Sequence, residues 1–139
     1  MAKIKIEKII RADRNKVYDI ITNYENFEKI FPKHFPSILI RSERDNVSVI
    51  EEHIILEKKE FVMMTKHVKN PPDLHEIFVI GGDGKGSHIT ERYESVPDGT
   101  KLTVEADLKF GGFSKYFQKN NLGDGLKDII DEFARVAES

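Results

Sequence analysis

Glu91 and Tyr93 stand two residues apart in a stretch, residues 88–96, that reads as a β-strand, so they project from one face together with Ile89. If that face turns to an apolar interior, Glu91 is a carboxylate withdrawn from water, able to act as acid, base or ligand anchor. If it pairs with a neighbouring Lys or Arg, or faces solvent, it is an ordinary structural carboxylate. His53, His67, His75 and His88 also fall in or near strands, and each could anchor a ligand or simply sit hydrogen-bonded at the surface. None shows the short paired spacing of a metal site, such as His-x-x-x-His, so no metal and no cofactor is expected. Ser, His and acidic residues are present, but nothing arranges them as a triad, and no G-x-S-x-G elbow occurs. The chain has no cysteine, hence no thiol nucleophile and no disulfide. The glycine-rich residues 81–86 lack Walker spacing and precede no helix, so they read as a hairpin tip.

These residues need elements to hold them. Residues 3–9 alternate, with Ile4 and Ile6 opposite Lys3, Lys5 and Glu7, as a half-buried strand does. Asp13 is a suitable N-cap for a helix carrying Val17, Tyr18, Ile20 and Ile21. A second short helix follows with Phe27, Ile30 and Phe31, and Pro32 stops it. Strands are then expected at 37–43, 47–56, 60–68, 74–80, 88–96 and 100–110. Their connections are short, so the sheet is antiparallel. In the last strand Leu102, Val104, Ala106, Leu108 and Phe110 share one face. From Leu122 the apolar residues Leu122, Leu126, Ile129, Ile130, Phe133, Val136 and Ala137 mark one face of a long helix. Gly123-Asp124-Gly125 could kink that helix or end a shorter one before it, and with Gly111-Gly112 could let residues 113–121 move as a lid. A sheet curled around a helix leaves space unless large side chains fill it. Phe27, Phe31, Phe35, Met63, Phe78, Tyr93, Phe110 and Phe117 are candidate liners or fillers. Both faces carry apolar residues between 47 and 80, so parity there is open: a shift exchanges Met63 for Met64, or Phe78 for Ile77.

The 139 residues suit one domain, 1–139, with a real core. A net charge of -2 offers no footprint for nucleic acid. No run of apolar residues is long enough for an integral membrane segment, and the first residues lack a signal-peptide core. A cytoplasmic location is the expectation.

Several stretches resemble a known family. Residues 10–25, IRADRNKVYDIITNYE, look like its opening strand running into a capped helix and a break. Phe31-Pro32 looks like the end of its second helix. Arg92-Tyr93-Glu94, followed by Asp98-Gly99-Thr100-Lys101-Leu102-Thr103, resembles the hairpin between its last two strands. The family is the START-like (SRPBCC) superfamily, nearest its polyketide cyclase/dehydratase and coenzyme-Q-binding branches, and the resemblance covers essentially the whole chain. It implies an α+β helix-grip fold: a seven-stranded curved antiparallel sheet around a long C-terminal helix, with two short helices between strands one and two. It also implies a cavity for a lipid, isoprenoid or polyketide-like molecule, and no universal catalytic residues. The expected ligand-binding residues are Phe27, Phe31, Met63, Phe78, Glu91, Tyr93, Ala106, Leu108, Phe117, Leu122, Leu126 and Ile130. Three functions follow: a carrier or sensor of a hydrophobic small molecule; a cyclase- or dehydratase-like enzyme using a cavity Glu or His; and an interaction module with a protein partner or a second copy.

Overall fold

The computed structural model describes residues 2–110 and 119–139. Strand β1 (Ala2–Ile10) leads into helix α1 (Arg14–Thr22), a tight helical turn (Tyr24–Asn26) and the short α2 (Phe27–Ile30). Six strands follow: β2 (Ser37–Arg44), β3 (Val47–Leu56), β4 (Lys59–Asn70), β5 (Leu74–Gly82), β6 (His88–Val96) and β7 (Gly99–Leu108). Helix α3 (Lys119–Glu138) ends the chain. The strands form one seven-stranded sheet in the order β1-β7-β6-β5-β4-β3-β2. Every pairing is antiparallel: the short turns require it of the five consecutive pairs, and β1 joins β7 in the same sense.

Local chemistry fixes the helices. The Asp13 side chain accepts from the Asn15 backbone N–H at 3.0 Å, which caps α1. Val17, Tyr18 and Ile21 turn inward from α1, and Phe27, Phe31 and Phe35 from the segment after it. Helix α3 buries Leu122, Leu126, Ile129, Ile130, Phe133, Ala134 and Ala137 on one face. Phe133 stacks on Phe35 at 6.2 Å and meets Phe31 edge-on at 4.9 Å, tying α3 to the segment between β1 and β2.

The glycine pair does not interrupt α3, which runs unbroken through Gly123 and Gly125. Gly125 serves close approach instead: a Cβ there would lie 2.9 Å from Leu56 Cβ on β3. Of the expected lid, residues 113–121, the last three open α3, and residues 113–118, with Gly111 and Gly112, lie outside the described residues.

A register shift between Met64 and Thr65 settles the parity of β4 and β5. Met64 pairs with Gly81 and Thr65 with Val79, so Ile80 is passed over. Met63, Thr65 and His67 are buried on β4, and His75 and Val79 on β5. Phe78 therefore points away from the interior.

Candidate functional site

A line of polar side chains crosses the inner face of the sheet, from Glu52 on β3 through Thr65 and His67 on β4 and His75 on β5 to Glu91 and Tyr93 on β6. All of them are buried. His67 Nε2 lies 2.9 Å from Glu52 Oε2, and the Thr65 hydroxyl donates to the same oxygen. His67 Nδ1 lies 3.1 Å from His75 Nε2. His75 Nδ1 lies 2.6 Å from Glu91 Oε1, which also accepts from the Tyr93 hydroxyl at 2.7 Å. The Tyr24 hydroxyl reaches His75 Nε2 from the helical side at 2.9 Å. Four strands and the turn after α1 thus contribute to one continuous carboxylate–imidazole–imidazole–carboxylate chain.

Sheet geometry makes the chain possible. Thr65 and His67 share a face because they are two apart on one strand, as do Glu91 and Tyr93. His75 and Glu91 are direct cross-strand partners, so their side chains start side by side.

Burial and mutual charge set the electrostatics. Burial alone pushes the Glu52 carboxyl up, but the His67 hydrogen bond and charge, with the Thr65 hydroxyl and the His75 charge, outweigh it. The result lies below the usual 4.5 of a glutamate. Burial and the negative Glu91 raise the phenols of Tyr24 and Tyr93, and burial lifts Tyr18 to about 12. The three phenols are therefore donors, not anions, at neutral pH.

The chain forms one wall of a cavity of about 80 Å³ between the sheet and α3. Glu52, Thr65, His67, His75 and Glu91 are its polar liners. Ile54, Met63, Ile77, Val79, Ile89 and Val104 complete the sheet side. Ile21, Phe27 and Phe35 close it from the segment between β1 and β2, and Leu126, Ile129, Ile130 and Phe133 from α3.

Of the residues expected from sequence, Phe27, Met63, Glu91, Leu126 and Ile130 line this cavity. Phe31, Tyr93, Ala106, Leu108 and Leu122 are buried in the surrounding core without bordering the space. Phe78 is a correction: it stacks on His88 at 4.4 Å on the outer face, and Ile77 and Val79 take its place. The physical reason is the β4–β5 register shift, which sets the inward parity of β5. Phe117 lies outside the described residues. His53 and His88 pair with Glu60 and Glu76 in partly exposed positions. Glu91 pairs with His75 and Tyr93 rather than with Lys or Arg. Sequence reasoning passed over Glu52, Thr65 and Tyr24, and for His67 and His75 left open both a ligand anchor and a hydrogen-bonded surface histidine. The available signal was the period of two linking Met63, Thr65 and His67, and linking His75, Ile77 and Val79. Among the described residues no group of three or more His, Asp or Glu side chains is arranged to hold a metal ion.

No family model and no curated protein matches the sequence. Solved structures do match in shape. A START superfamily protein from Mycobacterium smegmatis superposes with a TM-score of 0.84 at 14% identity, covering 99% of this chain and 98% of that one. The major latex-like protein 151 of Panax ginseng gives 0.80 at 12% identity, covering 98% and 97%. The Zhui aromatase/cyclase from Streptomyces sp. R1128 gives 0.70 at 12% identity, covering 98% and 87%. At such identities the likeness is one of fold. Its seven-stranded antiparallel sheet, short helices between β1 and β2 and long C-terminal helix give this chain the helix-grip fold of the START-like proteins.

Proposed function

We propose that this chain is a single-domain cytoplasmic carrier or sensor that binds a hydrophobic small molecule, such as a lipid, isoprenoid or polyketide-like compound, between the sheet and α3. The observation that carries this reading is the cavity itself, apolar on every side but one, with its polar groups gathered on a single wall. Such a site gains affinity from buried apolar area and orientation from a few polar contacts. About 80 Å³ is below the ~300 Å³ of pockets that enclose a drug-sized ligand. A short ligand fits the structure as it stands, and a long one requires α3 and the sheet to part.

Native mass spectrometry of the protein purified from its own cells, followed by solvent extraction, tests this. A stoichiometric apolar companion is the expected result. Protein that is always empty, and takes up no fluorescent apolar probe, would sink the carrier reading in favour of an interaction module.

A second reading, a cyclase- or dehydratase-like enzyme, is supported by the Glu52–His67–His75–Glu91 chain, which has the parts of a proton relay. Its test is exchange of the α-protons of a small diketone in D₂O. Exchange catalysed by the native protein and lost in Glu91→Gln would favour the enzyme.

A further inference from the structure

We propose that the cavity selects a ligand bearing a protonated nitrogen, an apolar amine, whose ammonium group is received by the free carboxylate oxygen of Glu52 or of Glu91 beside an aromatic wall. This names the ligand class of the site above and rests on that site being a binding cavity.

The hydrogen-bond inventory carries the argument. Every bond to Glu52 runs through Oε2, and every bond to Glu91 through Oε1. Glu52 Oε1 and Glu91 Oε2 have no partner among the described residues. Among the same residues, the one buried side-chain oxygen or nitrogen that lacks both a partner and any accessible surface is Asp107 Oδ1. The two free carboxylate oxygens therefore border open space, and both residues line the cavity. Their side chains are nonetheless buried, with Glu52 5% and Glu91 7% exposed.

The donors, by contrast, are spent. Both nitrogens of His67 and both of His75 are engaged within the chain, and the hydroxyls of Thr65 and Tyr93 point at carboxylate oxygens. Among the described residues no Lys or Arg lines the cavity. A ligand carboxylate or phosphate finds no free donor among them, whereas an N–H group finds a free acceptor at either glutamate.

Charge points the same way. The outer nitrogens, His67 Nε2 and His75 Nδ1, each face a carboxylate as N–H donors. The inner nitrogens face each other, so neither is free to serve a ligand. The two carboxylates accept from the imidazoles in a poorly solvated space, with no Lys or Arg of the described residues lining it. A buried charge of that kind is best matched by an opposite one that also satisfies its lone pairs. Phe27, Phe35 and Phe133 supply the other half of an ammonium site. Their rings pack on one another at 4.7 to 6.2 Å, and ring faces attract cations. The cavity of about 80 Å³ suits the ammonium group and its first few carbons, since an engineered cavity of about 150 Å³ holds benzene.

The test is a matched series at pH 7: n-butylamine, n-butanol and n-butyrate, titrated into the intact protein. Binding is followed by NMR shifts of the Glu52 and Glu91 carboxyl carbons and of the Phe27 and Phe133 rings. We expect the amine to bind at least about tenfold more tightly than the alcohol, with butyrate weakest. At least one of Glu52→Gln and Glu91→Gln should remove that preference, and its survival in both variants overturns the amine assignment. The native series decides the matter even if a variant fails to fold. Equal binding of amine and alcohol, or preference for the acid, overturns the amine assignment alone. If none of the three, nor a fluorescent apolar probe, binds at these residues, the cavity reading falls with it.

Discussion

The facing ring nitrogens of His67 and His75, Nδ1 and Nε2, lie 3.1 Å apart in the middle of a buried chain whose ends are both glutamates. The two rings are nearly parallel, at 18° with centroids 5.2 Å apart. One proton between those nitrogens makes a hydrogen bond; none leaves two lone pairs opposed, and two would oppose N–H groups. The glutamates thus do more than neutralise charge: they fix which nitrogen of each ring carries its own proton.

That arrangement dictates tautomers. In long-range ¹⁵N–¹H spectra we expect His75 to be protonated at Nδ1 and His67 at Nε2. Glu91→Gln should free His75 Nδ1 from this constraint while leaving His67 unchanged. A His75 that carries its proton only at Nε2 in the native protein would refute the assigned chain.

Glu52 links the chain to acid stability. Its folded-state pKa is lowered below 4.5, so its contribution is fully present above 4.5 and is lost as pH falls through the lower folded value. Glu52→Gln should cost about 1–3 kcal/mol at pH 7, the usual scale for losing hydrogen bonds to a charged group. It should also flatten the acid limb of the stability curve. Urea denaturation at a series of pH values between neutrality and strong acid checks both. An acid limb of unchanged steepness would exclude this role for Glu52.

The two glycines of α3 should behave oppositely. Gly125→Ala drives a methyl to 2.9 Å from Leu56 Cβ and 3.1 Å from its Cα, and should destabilise by about 1–3 kcal/mol through overpacking. Gly123→Ala meets Ile4 at an ordinary 3.9 Å, and should stabilise by about 0.5–1 kcal/mol through helix propensity. Thermal melts of the two variants give the comparison, and equal shifts of one sign would contradict the close helix–sheet contact.

Phe78 and Val79 test the inward face of β5. Phe78→Ala removes an outer-face stack on His88 and should leave probe binding unchanged. Val79→Ala opens the cavity wall and should alter both binding and stability, the latter by about 1–3 kcal/mol. Binding lost in the Phe78 variant alone would reverse the parity described above.

The elements were legible in the amino-acid sequence. Alternation in β1 and β7, the Asp13 cap, Pro32 and the apolar face of α3 are local patterns, and local patterns are read from local residues. The period of two also placed Ile89, Glu91 and Tyr93 on one face before their surroundings were known. It gave no absolute parity for β4 and β5, because apolar residues lie on both faces and a one-residue shift at Met64/Thr65 resets the alternation. Nor could it show that Glu52, His67, His75 and Glu91 touch, since they come from four strands and meet only when the sheet aligns them. Gly125 read as a helix breaker for the same reason: the Leu56 side chain that requires it belongs to a distant strand. Cross-strand register and helix–sheet distance are properties of the assembled sheet, and they decided which polar residues share the cavity wall.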